Sequence, residues 1–182
     1  IILHAGWIHD VMDSLNLAQS ASSWPSNYKL IFHERMERSR SEPYINKAIQ
    51  LGGSATFFSL NPVCYDRLEE ILTSADIGIV NYKLQTGAAA WDNLSKASGK
   101  IADYLSCGLP ILCSNFAGAE EMINKYKCGA VFYNYEELPA CIERITQRYQ
   151  YYKSNALKCF DQEYKFSKYF LPVVHSMESL KN

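Results

Sequence analysis

Gly99 to Asn115 reads GKIADYLSCGLPILCSN, and the way this run breaks decides the fold. Ile101 and Leu105 share one face at helical spacing, Gly108 and Pro110 stop the helix, and Ile111 to Ser114 continues as a short apolar strand. Ser98 is a natural N-cap, and Lys100 falls in the first turn. Asp103 lies three residues later on the same face as Lys100. A helix that starts beside the end of a strand offers free backbone N–H groups and a positive dipole end, which suits an anion such as phosphate. Taken by itself, the Lys100 and Asp103 spacing also reads as an ordinary surface ion pair worth a few tenths of a kcal/mol.

Working outward, the same strand-then-helix unit recurs. Ile1 to Ala5 reads as a buried strand ending at Gly6, followed by a helix over Val11 to Ala21 with Val11, Met12, Leu15 and Ala18 on one side. Tyr28 to His33 is a second strand, and Glu42 to Leu51 a helix closed by Gly52 and Gly53. Ala55 to Ser59 is a third strand. Asn61 and Pro62 then open a helix whose buried stripe is Leu68, Ile71 and Leu72, ending at Asp76. Ile77 to Val80 is a fourth strand. Asn81 to Ala97, with Gly87, Trp91, Asp92 and Asn93, reads as one long irregular connection, of the kind that usually carries function. After the Ser98 helix and the fifth strand come a short helix over Glu120 to Lys125 and a sixth strand over Ala130 to Tyr133. The last helix carries Leu138, Cys141, Ile142, Ile145 and Tyr149 on one face.

Six strands alternating with helices predict an α/β fold, a Rossmann-like parallel sheet covered on both faces. Such sheets bind ligands beyond the carboxyl ends of their strands. Chain order alone therefore proposes the pocket walls: Gly6 to Asp10, His33 to Arg38, Ser59 to Leu60, Asn81 onward, and the start of the Ser98 helix. Residues 1–160 make one domain. Residues 161–182 form an aromatic-rich, helical tail in which Pro172 breaks the run; it packs back on the domain or onto an absent N-terminal one.

The totals narrow the function. At 182 residues, net charge −1 and pI near 6.5, the chain has no basic field for nucleic acid. Its six cysteines form no C-x-x-C pair, which points to reduced thiols and a cytoplasmic address. The four histidines lack metal-ligand spacing, so no metal is expected. No apolar run spans a bilayer and no signal peptide is evident. Opening directly on Ile1, Ile2 and Leu3, the chain reads as a piece of something longer.

The runs Ala75-Asp76-Ile77-Gly78-Ile79-Val80 and Gly99 to Pro110, with Tyr65 to Leu72 before them and Cys128 to Phe132 after, resemble the C-terminal, donor-binding half of group 1 (family 4-like) GT-B glycosyltransferases. The resemblance covers about Ile1 to Arg148. It implies a nucleoside-diphosphate sugar as substrate, with Ser98, Gly99 and Lys100 at the diphosphate, Asp103 at ribose or sugar hydroxyls, and Gly6 and Asn81 at neighbouring strand ends. The base would lie on the loop at Ser59 and Leu60. A glycan or lipid-linked acceptor would be held by the absent N-terminal half, with peripheral membrane association of the whole protein and no metal or other cofactor.

Two departures stand out. Ser95 occupies the place of a second family glutamate, eight residues before Asp103. Trp7, Ile8, His9 and Asp10 follow Gly6 where the family carries an arginine and a lysine. Phosphate charge must then come from Lys100 or from Arg35; Arg35 also reads as part of a solvated charge run with Glu34, Glu37 and Arg38. His9 is a further candidate beside the first strand. No catalytic residue is assigned. A sugar-nucleotide epimerase of the same architecture, and a non-catalytic interaction module with a decayed pocket, remain as alternatives to transfer of a hexose during surface polysaccharide synthesis.

Overall fold

A computed structural model describes residues 1–83 and 94–179 of the chain. Six short strands form one sheet: β1 (Ile2–Ala5), β2 (Leu30–His33), β3 (Thr56–Ser59), β4 (Ile77–Val80), β5 (Ile111–Ser114) and β6 (Gly129–Phe132). All pairings are parallel and the spatial order is β3-β2-β1-β4-β5-β6. The order reverses between β1 and β4, which makes that junction the topological switch point.

Alternation along the strands divides the core in two. Ile2, Leu30, Phe32, Ile77, Ile79, Leu112 and Phe132 pack on one face under α1 (Ser14–Ala21), α2 (Pro43–Gly52) and α7 (Leu138–Gln147). Leu3, Val80, Ile111 and Cys113 pack on the other, under α3 (Leu68–Thr73), α5 (Gly99–Ser106), α6 (Ala119–Tyr126) and α8 (Tyr149–Cys159). Both faces are thus dry, as the near-continuous apolar strands demand. Cys113, Cys128, Cys141 and Cys159 are buried free thiols, whereas Cys64 is exposed.

The elements differ from the sequence reading at several joints. The helix expected over Val11 to Ala21 is two pieces: a 3-10 turn at Asp10–Met12 ends on Asp13, whose φ of 47° is left-handed, and α1 begins afresh at Ser14. Asn61 and Pro62 do not start a helix; a 3-10 turn begins at Tyr65 and α3 at Leu68. Only Leu72 of the expected stripe is fully buried, and α3 ends at Thr73 rather than Asp76. The connection read as wholly irregular contains a helical turn, α4 (Leu94–Ala97); Gly87, Trp91, Asp92 and Asn93 lie outside the described residues. The last helix splits at Arg148 into α7 and α8, which puts Tyr149 on the second piece. A π-turn at Phe160–Tyr164 then leads to α9 (Phe166–Ser179). Pro172 sits inside α9 without ending it, and no residue of that helix is buried.

Candidate functional site

At the carboxyl end of β1 and β4 the sheet parts. β1 pairs with β4 only through Ile2 with Ile77 and Leu3 with Gly78, and Tyr104 of α5 fills the split. Its hydroxyl accepts from Ala5 N at 2.7 Å and donates to Leu3 O at 3.0 Å, so the backbone groups β1 withholds from β4 keep partners. The ring lies flat against Gly78, where any Cβ would sit 2.4 Å from it. A cleft of about 560 Å³ opens above this wedge, walled by the ends of β1 and β2, the segment after β3 and the start of α5.

Six of the sequence-predicted residues converge in it. Gly6, Gly99, Lys100 and Asp103 all line the cleft, together with Ser98 and Arg35. Ser98 caps α5 through its Oγ, which accepts from Ile101 N at 3.4 Å. Gly108 closes the helix at φ 71°. Lys100 leaves the first turn and runs across β1: Gly6 takes φ 122°, and a Cβ there would lie 2.7 Å from Lys100 Cε. The glycine is therefore required both for its backbone conformation and for the passage of the lysine. Among the described residues Lys100 does not pair with Asp103. Its Nζ lies 3.3 Å from His4 Nε2, 3.4 Å from Met12 Sδ and 5.8 Å from the centre of the Tyr82 ring. The surface ion-pair reading of this helix is corrected: burial drew the lysine inward, away from the carboxylate.

Burial pulls the Lys100 ammonium down to about 7, the nearby Arg35 guanidinium pulls the same way, and Glu34 opposes. Burial alone raises the Asp103 carboxyl. The site thus carries a lysine easily charged by an anion and a carboxyl with no cation satisfying it among the described residues.

Arg35 is not merely part of a solvated run. Glu34, its neighbour, is wholly buried, accepting from Ile8 N and Arg35 N at 2.8 Å each, with Arg38 Nη1 at 3.5 Å. That anchor fixes the turn after β2 and leaves Arg35 at the rim, its guanidinium 5.5 Å from the Trp7 ring. Arg35 therefore supplies, from the end of β2, a positive charge where the loop after β1 has none.

The other candidates go elsewhere. Asn81 is buried and its amide donates to Met12 O and Tyr135 Oη, both at 2.9 Å, clamping the turn before α1. His9 caps that turn, accepting from Val11 N at 3.3 Å, and stacks on Trp7 at 3.9 Å. Ser95 faces Gly118 and the carbonyl side of α4 receives Tyr164 Oη, so it lines a separate groove. Ser59 Oγ contacts His33 Nδ1 at 3.0 Å, and the carbonyls of Ser59 and Leu60 accept from Glu34 N and Arg38 N. The surface this loop gives the cleft is instead Pro62, Val63 and the exposed Tyr65. Sequence reading missed these three, though an aromatic and a proline just past a strand end are the signal that could have found them, whereas Trp7 fell within the expected wall Gly6 to Asp10. Among the described residues no three His, Cys, Asp or Glu side chains gather to hold a metal.

A doubly wound parallel sheet whose switch point opens into a cleft lined by Lys100, Arg35 and a helix start defines a Rossmann-like domain. The sequence pattern of the family described as "Glucosyltransferase 3-like, C-terminal domain" matches residues 63–174. The chain belongs to that family of glycosyltransferase C-terminal domains. Sucrose-phosphate synthase from Thermosynechococcus elongatus has the same fold, at TM-score 0.72 and 14% identity over 98% of this chain and 45% of that one. So does Anabaena HepE in complex with UDP, at TM-score 0.70 and 14% identity over 98% and 48%. The C-terminal domain of a group 1 glycosyltransferase, LpcC of Francisella tularensis, matches at TM-score 0.66 and 10% identity over 91% and 86%. The chain spans about half the length of the first two. No curated protein matches it in sequence.

Proposed function

We propose that the chain is the half of a glycosyltransferase that binds a UDP-sugar and that the whole protein transfers a hexose, glucose in the first instance, to a glycan acceptor. The observation that carries this reading is Lys100, threaded past Gly6 into a cleft at the mouth of α5. UDP is favoured because HepE, which shares the fold, is described in complex with UDP and with UDP-glucose.

In this reading the diphosphate lies over the free N–H groups at Gly99 and Lys100. Lys100 and Arg35 supply positive charge to the departing nucleoside diphosphate, on which negative charge grows as the glycosidic bond breaks. These two cations meet the phosphate charge, so the donor is held without a metal. Asp103 accepts from ribose or sugar hydroxyls, and the flat base rests against Pro62, Val63 and Tyr65. The acceptor belongs to an N-terminal half, in a cytoplasmic enzyme of surface polysaccharide assembly that works at the membrane face. Among the described residues no helix is long and apolar enough to cross a membrane.

Calorimetry tests this on the chain as it stands. UDP binds with a Kd of about 10 μM to 1 mM, as expected for half of a two-part site. Lys100→Ala weakens it by at least about tenfold, the loss expected for one charge-assisted phosphate contact. Binding of no uridine or guanosine nucleotide would instead favour a decayed pocket, in keeping with Ser95 facing away from the cleft.

A further inference from the structure

His4 is the third residue of β1, and it is wholly buried. Its Nε2 meets Lys100 Nζ at 3.3 Å, while its Nδ1 has no hydrogen-bond partner among the described residues. The ring packs against Phe32 with centroids 5.3 Å apart. A core strand position that had only to be filled would be better served by an aliphatic side chain, because a buried polar atom left unsatisfied is destabilising. Among the described residues the side-chain hydrogen-bond contact of the imidazole is to Lys100, the lysine of the donor cleft.

We propose that His4 is a positioning residue for the donor diphosphate: it holds Lys100 folded back over β1 as an amine, and an arriving nucleotide draws the side chain to the mouth of α5 as an ammonium. The proposal rests on the donor-binding reading above. The balance is one proton: the Lys100 lone pair takes H⁺ from solvent, forming an N–H bond, and no other bond changes. The groups facing Lys100 are His4 from β1, Met12 from the turn before α1, Glu34 and Arg35 from the end of β2, Tyr82 after β4 and Asp103 on its own helix. Burial, with Lys100 beside it, lowers His4 and keeps it uncharged near neutrality. Lys100, lowered to about 7, is then the group that changes state when a diphosphate comes within reach.

The experiment titrates the chain with UDP calorimetrically in buffers of different ionisation heat, across roughly pH 7 to 8.5. The wild-type chain takes up a proton on binding, close to one at the upper end, and affinity falls about tenfold across the range. In His4→Phe the amine has no partner inside, stays toward solvent and keeps its charge; proton uptake vanishes and affinity varies by less than about twofold. His4→Gln, whose amide reaches the same point, restores the wild-type profile. His4→Asn, polar but too short, behaves as His4→Phe does and carries the test should the ring variant not fold. Undiminished proton uptake in the Phe and Asn variants overturns the role of His4 and leaves the donor reading standing. Absence of UDP binding by the wild-type chain overturns both.

Discussion

Tyr104 shows how one side chain can open a site. Its phenol closes two backbone groups of β1 and its ring rests on Gly78, so the strands are kept apart without leaving polar atoms bare. Tyr104→Phe should cost about 1–3 kcal/mol, the penalty for stranding the Ala5 N–H, read as a lowered urea midpoint at unchanged slope. Spacing alone placed Ile101 and Leu105 against the sheet and passed over the tyrosine between them. Its meaning depends on a glycine 26 positions earlier, a distance that periodicity does not see. Ser98 and Gly108, by contrast, act within their own turn, and their roles as cap and stop were legible. Asn81 and His9 were read as ligand groups because they follow strands. In the folded chain they tie down the turn around Asp13, whose left-handed backbone needs such clamps.

Among the elements, the strands and their order of appearance could be read because each is a short apolar block bounded by turn residues. Joints were harder. Arg148 interrupts α7 and α8 with φ −130°, ψ 37° and no proline or glycine to announce it. Met12 packs at the edge of the core, as its spacing suggested, and also lines the cleft beside Lys100, because the 3-10 turn containing it stops at Asp13. α9 poses the opposite case: its stripe of Phe166, Tyr169, Phe170, Val173 and Met177 is strongly apolar, yet every one of these residues is exposed. The helix therefore adds nothing to the core. Deleting residues 166–179 should leave the unfolding free energy within about 0.5 kcal/mol of the intact chain, as for changes away from buried contacts, while abolishing most binding of a hydrophobic dye. A drop of several kcal/mol would show α9 folded back on the domain.

At the scale of the whole molecule, stability should depend on pH through groups buried uncharged. Lys100 falls to about 7 in the folded chain from its ordinary value near 10.5. The unfolded chain then binds more protons between those limits, and stability rises with pH through that window. His4, also lowered by burial, destabilises the folded state as pH drops below its unfolded value of about 6.5. Both act in one direction, so thermal melts should move upward from about pH 5 to about pH 9. Lys100→Met should flatten the upper part of that curve, and His4→Phe, which also lets Lys100 keep its charge, should flatten both parts. A chain whose melting temperature is level or declines across the interval contradicts the assignment of both groups.

The parting of β1 from β4 has a kinetic meaning as well. Because a phenol from the sheet's own covering helix props the crevice, its mouth exists ahead of any visitor, and no strand must unzip to admit one. Encounter should then be quick, with no backbone opening ahead of the Lys100 side-chain swing, and residence time should separate a good donor from a poor one.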